Sequence, residues 1–147
     1  MSDVKKKENH DDNVKNVLKE DGVETINLEG RYENLSKTSL KEIKKVFGHK
    51  SWAVRVVFNE LFGGVLIQQL PGEGNRLHYH PDADECWVIL EGEWEWYIEG
   101  EGKKVVTVND IVVVKKGIKH KITCVGNRSG IRFAITRPNV NHVYSEN

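Results

Sequence analysis

The sequence predicts an all-β domain, and three observations carry that expectation. From Ser51 onward the chain breaks into short runs rich in Val, Ile, Trp and Phe, punctuated by glycine. Within such runs apolar and polar residues alternate: Trp94, Trp96 and Ile98 stand against Glu93, Glu95, Tyr97 and Glu99, the signature of a strand with one buried and one wet face. The runs are short and evenly spaced, which argues a sandwich or barrel. A chain of 147 residues with 38% apolar content is long enough for one domain with a real core and too short for two of ordinary size.

Taken in order, residues 1–12 are polar, mixed in charge and read as a frayed terminus, so His10 is expected to have no role. Val14, Val17 and Leu18 recur at helical spacing after a possible Asp12 cap, with Gly22 as a stop, which predicts a short helix. Val23 to Leu28 reads as an edge strand. The clearest helix is Ser39 to Phe47: Ser39 and Glu42 have capping-box spacing, Leu40, Ile43, Val46 and Phe47 form one apolar stripe, and Gly48 terminates it. It is expected to pack on the outside of a barrel, with His49 beyond its end in solvent or at the helix dipole.

Strands are predicted at 53–58, 64–70, 75–80, 85–91, 94–99, 103–108, 111–114, 119–125 and 130–137. Gly100 to Gly102 and Gly126 to Gly130 are hairpin loops, and Pro138 ends the last strand. This divides the chain into an N-terminal extension (1–50), a β domain (51–138) and a tail (139–147), with no internal repeat of the β unit.

Charge and composition narrow the function classes. Twenty-two basic and 22 acidic side chains cancel, so net charge gives no footprint for nucleic acid or an anionic membrane, and a small-molecule ligand or protein is the expected partner. The first residues are charged and lack the apolar stretch of a secretory leader, and no run approaches the ~18 apolar residues of a membrane span. A soluble, cytoplasmic protein is expected. Cys86 and Cys124 fall on strands and face opposite ways, so no disulfide between them is expected.

The residues with metal chemistry lie between Gly72 and His120. Side chains at i and i+2 of a strand share a face about 7 Å apart, so His78 and His80 converge while Tyr79 points away. Pro81 to Asp84 reads as a turn that brings Glu85 back beside them, giving three ligands from one hairpin. His120 follows a second strand-turn-strand unit, with turns at Asn109-Asp110 and Lys115 to Gly117, and is the candidate fourth ligand.

The segment Gly72-x5-His78-x-His80-x4-Glu85-x6-Gly92 resembles the first cupin motif, G-x5-H-x-H-x(3,4)-E-x6-G. The second motif, G-x5-P-x-G-x2-H-x3-N, is kept in part. Gly117-x2-His120 matches, while Asn109, Lys115 and Cys124 stand where the pattern has glycine, proline and asparagine. The resemblance implies a cupin-type β-barrel (a jelly roll, or double-stranded β-helix) behind a short, partly helical extension. It also implies that His78, His80, Glu85 and His120 are the metal ligands. Three neutral imidazoles and one carboxylate leave a divalent ion with a charge of about +1 and, if it is octahedral, open positions for chemistry. Such a set suits Fe, Mn, Ni, Co or Zn without choosing among them by ligand type, and Fe is the expected metal.

Two residues are expected to line a ligand pocket. Arg76, two before His78, should share its inward face and clamp a substrate carboxylate or phosphate. Trp87 and Ile89 share the inward face of Glu85, so Trp87 should wall the pocket. The Trp94, Trp96, Ile98 stripe is expected in the core or at a dimer interface, and Cys124 as a small core residue. His142 falls in the tail, without a role.

The functional expectation is a mononuclear metal-dependent enzyme for a small, anionic metabolite, with Fe-dependent dioxygenation as first choice. A Lewis-acid isomerase, epimerase or lyase is one alternative, and a non-catalytic metal- or ligand-binding module another. Small cupins are commonly homodimers, and the aromatic stripe and N-terminal strand are the surfaces expected to serve one.

Overall fold

Strand pairing sorts the β-forming runs into two sheets with a shared core. The computed structural model describes residues 8–11, 25–27 and 30–145. Strands β1 (Glu8–Asp11), β5 (Gly74–Tyr79), β7 (Glu93–Ile98), β8 (Gly102–Thr107), β10 (His120–Val125) and β12 (His142–Ser145) form one sheet in the order β1-β12-β5-β10-β7-β8. The second contains β2 (Thr25–Asn27), β3 (Trp52–Phe58), β4 (Gly63–Gln69), β6 (Glu85–Glu91), β9 (Ile111–Val114) and β11 (Gly130–Thr136), in the order β2-β3-β4-β11-β6-β9. The result is a mostly β, jelly-roll-like fold in which consecutive strands repeatedly change sheet. The predicted strands from 53 to 137 agree with β3 to β11 to within one residue at each end. The predicted strand at 23–28 contains β2, which runs parallel to β3 at the sheet's edge.

Alternation fills the space between the sheets. Trp87 and Ile89 from the second sheet meet Trp94, Trp96, Ile98, Ile122 and Cys124 from the first, all buried. Because the aromatic stripe is consumed here, with Trp94 and Trp96 both 0% exposed, it cannot double as a dimer surface. Both cysteines are free.

A second apolar cluster lies under the helix α1 (Leu40–Phe47). Ser39 Oγ accepts from the Glu42 N–H at 3.3 Å, Gly48 ends the helix at φ 72°, and Ile43 packs with Tyr32, Trp52, Leu66 and Ile131. The expected apolar stripe is narrower than its sequence: Val46 is 52% exposed. No helix among the described residues is long and apolar enough to cross a membrane.

Two expectations about the chain ends change. Residues 8–11, read as frayed, pair antiparallel with β12, which itself lies within the stretch read as a tail. Val143 and Tyr144 are good strand formers, and β12 adds to the edge of β5 with all four of its residues buried. The helix expected at 14–22 lies outside the described residues.

Close approach and backbone conformation together require the glycine at position 92. Gly92 turns β6 into β7 at φ 79°, and a Cβ there would come within 2.6 Å of the Gly130 Cα. The missing glycine of the second motif is replaced without loss of its turn, since Asn109 itself adopts a positive φ of 77°.

Candidate metal centre

The four expected ligands meet, although not from one hairpin. His78 is on β5 and His80 just after it, Glu85 opens β6 in the opposite sheet, and His120 opens β10 directly across from His78. The 81–84 turn therefore carries the chain across the interior. The two motif turns are tied together: the Gly117 N–H donates to the His80 carbonyl at 2.8 Å, and the Lys116 N–H to Asp84 Oδ1 at 2.8 Å. These bonds hold the approach to His120 against the end of β5.

All four side chains are buried, and one ligand atom from each lies within 4.8 Å of every other. Backbone carbonyls orient the rings. Nδ1 of His78 bonds the Arg76 carbonyl at 2.6 Å, Nδ1 of His80 that of Asn141 at 3.0 Å, and Nδ1 of His120 that of Ile118 at 3.1 Å. A carbonyl only accepts, so each Nδ1 carries its proton, and each Nε2 is turned toward the centre. Nε2 of His78 and of His120 have no hydrogen-bond partner, an arrangement a cation would satisfy. His80 Nε2 lies 2.8 Å from Glu85 Oε1, and His120 Nε2 lies 3.8 Å from the same oxygen.

The electrostatics agree with a cation site. Burial opposes ionisation of Glu85, but the His80 charge and the two imidazoles beside it hold its carboxyl well below the usual range. Burial, then the neighbouring His120, His80 and His142, push His78 well below its ordinary value, keeping the ring neutral. For His80, burial lowers and Glu85 raises, and Glu85 prevails. With Nδ1 on the Asn141 carbonyl and Nε2 2.8 Å from Glu85 Oε1, both ring nitrogens face acceptors, the arrangement of an imidazolium–carboxylate pair in the metal-free protein. The donor set fits a divalent transition metal: neutral nitrogen donors at two positions, an ionised carboxylate, and a His80 proton that a metal would displace.

Around this cluster the structure rearranges the expected pocket. Trp87 is 1% exposed with its ring 5.3 Å from that of His120, so it packs against the cluster, and it is not among the residues that line the adjoining cavity. Arg76 does not face inward. Along β5, Asn75 pairs with Ile122 while His78 pairs with His120, one residue more on β5 than on β10. This bulge turns Asn75 inward and Arg76 out, where its guanidinium carbon lies 3.8 Å from the Tyr144 ring centroid.

Three residues to which the sequence reading gave no site role join the site, among them His142, which was expected in a tail without a role and is instead buried. His142 packs 4.6 Å from His80 and 5.4 Å from His78, ring to ring, and burial, then the His80 charge, lower its pKa to about 4. Tyr144, opposite His78 on β12, covers that ring at 5.6 Å. The inward arginine is Arg132 on β11, 1% exposed. A cavity of about 80 Å³ reaches from Glu85 and His142 to Asn75 and Arg132. The available signals were a strand-forming Val143-Tyr144 pair beyond Pro138, and an arginine inside the apolar run Ile131 to Ile135.

A two-sheet, jelly-roll-like fold around a three-histidine, one-glutamate cluster defines the metal-binding cupin class. The chain belongs to the cupin family: the family model for the Cupin domain matches residues 65–144. It is 36% identical over 44 residues to the uncharacterized protein YdbB of Bacillus subtilis, a match that spans 30% of this chain and 39% of that protein's length. Among solved structures, an uncharacterized conserved protein with a double-stranded β-helix domain from Klebsiella pneumoniae superposes with a TM-score of 0.64 at 18% identity, over 77% of this chain and 100% of that one. KdgF from a Halomonas species gives 0.55 at 19% identity, over 58% of this chain and 78% of that one. At these identities the structural likenesses show the fold.

Proposed function

We propose that this chain is a mononuclear metal-dependent enzyme acting on a small anionic metabolite, with iron-dependent oxygenation as the first reaction to test. The observation that carries this reading is the convergence of three Nε2 atoms and one carboxylate, with every Nδ1 anchored to a backbone carbonyl. His78, His80, Glu85 and His120 would hold the ion. A metal there would supply Lewis acidity and, if it is iron, access to dioxygen chemistry. The chain's own contributions are distinct. Glu85 brings the negative charge, His78 and His120 offer lone pairs, and His80 releases its second proton to make room. Trp87 excludes water from the flank of His120, and the adjoining cavity receives the organic molecule.

The test is metal analysis of protein purified without a polyhistidine tag, followed by oxygen uptake with a panel of small carboxylic acids. Near-stoichiometric metal and substrate-triggered oxygen consumption are expected. Glu85→Gln and His120→Ala should each weaken metal binding by on the order of a hundredfold or more. Turnover independent of oxygen would replace oxygenation by Lewis-acid chemistry at the same residues, and wild-type protein that takes up no transition metal would overturn the reading.

A further inference from the structure

The outer faces of the two sheets differ in kind. On the first sheet the outward positions of β7 and β10 carry Glu93, Glu95, Lys121 and Thr123. On the second, β6 and β9 are apolar on both faces. Trp87, Ile89, Val112 and Val114 point into the core, and Cys86, Val88, Ile111 and Val113 point away from it. A strand with one wet face alternates apolar and polar residues, so apolar residues on both faces mark a sheet that is covered on both sides.

Register joins the outward side chains into one surface. Ile135, Cys86 and Val113 form a row across β11, β6 and β9, and Phe133, Val88 and Ile111 form the next. The cluster under α1 reaches Leu90 and Phe133, and the rest of the two rows lies beyond it. Ile111 and Val113 are 66% and 58% exposed. β9 is also the last strand of its sheet, paired with β6 alone among the described strands. An edge strand without a charge from Ile111 to Val114 is one that folded proteins ordinarily pair or cover.

The flanks of β9 indicate what covers it. Asp110 precedes the strand, Lys115 and Lys116 follow it, and all three are exposed. Seated antiparallel on its own copy, β9 brings each Asp110 toward the partner's Lys115 and Lys116, once on either side of a two-fold axis. A parallel seating would set like charges together. An apolar centre between ends of opposite charge is therefore complementary to itself, as a two-fold interface requires.

We propose that the outer face of β6 and β9 is the contact surface of a homodimer, in which a second copy of this chain is seated on it with the two β9 strands antiparallel. Val88, Ile111 and Val113 form the apolar centre, and Asp110, Lys115 and Lys116 the charged rim. The surface is on the opposite side of β6 from Glu85, so the proposal stands apart from the metal-dependent reading above.

The experiment is sedimentation velocity with light scattering on the untagged full chain at about 10 µM, where a dimer with a Kd of about 1 µM or tighter predominates. Twice the chain mass is expected. Ile111→Lys and Val113→Glu should each raise the dissociation constant by about a hundredfold or more and give monomer, while Val105→Glu, exposed on the first sheet, should leave the dimer intact. Asp110→Lys alone, and Lys115→Glu combined with Lys116→Glu, should each weaken association by about tenfold. An equimolar mixture of those two variants should restore it, because every flank then meets its opposite charge. Circular dichroism checks that each variant is folded. A wild-type monomer overturns the proposal: rapid alkylation of Cys86 would then mean a bare face, and slow alkylation a face covered by another part of the chain. Dimers that survive in folded Ile111→Lys and Val113→Glu overturn it as well, and so does a mixture that fails to restore association.

Discussion

The interior between the sheets is of two kinds, which meet where Trp87 and His120 pack edge to face at 65°. On one side Trp94, Trp96, Ile98, Val106, Ile122 and Cys124 fill the space by strict strand alternation. On the other, four imidazoles, a carboxylate, an arginine and an asparagine are buried at comparable depth. The apolar side is assembled by paired neighbours, with Trp96 opposite Ile122 and Trp94 opposite Cys124. The polar side needs a bulge, two turns that cross between sheets, and a strand from the end of the chain. Stability is therefore concentrated in the first and chemistry in the second, because buried polar groups stabilise little unless fully satisfied.

Substitutions can break that contrast, and the largest effect should come from the apolar side. Trp96→Ala removes a fully buried indole and should cost about 3–5 kcal/mol of unfolding free energy, read by chemical denaturation. A loss below about 1 kcal/mol would show that the tryptophan layer is not where the fold is held.

An intermediate effect should come from the polar side through pH. In His142 the folded pKa of about 4 lies below the ordinary value of 6.5, so on acidification the unfolded chain takes up the proton first. Its contribution to stability is complete above the unfolded value, falls as pH drops below it, and levels off near the folded one. His78 is shifted in the same direction, whereas the raised His80 contributes stability below its unfolded pKa that is lost as pH rises through the folded one. Metal-free protein should accordingly lose net stability from pH 8 to pH 5, and His142→Asn should flatten that loss by about 2 kcal/mol in denaturation curves at the two pH values. An unchanged slope would remove His142 from the buried cluster.

The smallest effect sharpens the boundary between the core and the surface. Val46→Ala on the exposed side of α1 should change stability by no more than about 0.5 kcal/mol, against about 2–4 kcal/mol for Ile43→Ala on the same helix. Equal costs in thermal or chemical unfolding would mean that α1 packs on both faces.

What the sequence made legible follows the same division. Period-two alternation located β3 to β11 and placed Trp87, Ile89, Trp94 and Trp96 inward, because each depends only on near neighbours in the chain. The ligand set was legible through motif spacing, which survives whichever sheet each strand joins. The inward arginine was misplaced because one extra residue in β5 inverts the facing of everything before it, and no local pattern marks a bulge. His142 was missed because β12 gains its place by adding to β5, a pairing decided by a partner more than sixty residues away in sequence. The expected hairpin failed for a similar reason: a four-residue turn can reverse the chain within a sheet or carry it across to the other, and the turn residues alone do not say which.

The three Nδ1 anchors carry a final consequence. Each is a main-chain carbonyl, of Arg76, Ile118 or Asn141, and none can be deleted by exchanging a side chain. Ring orientation is therefore insulated from substitution, while the lining of the cavity, from Asn75 to His142, is made of side chains that can be exchanged one at a time. In engineering terms the donor cluster is the fixed part of this scaffold and ligand preference the adjustable part. Redesign toward a new ligand would begin among those lining side chains and leave the four donor residues untouched.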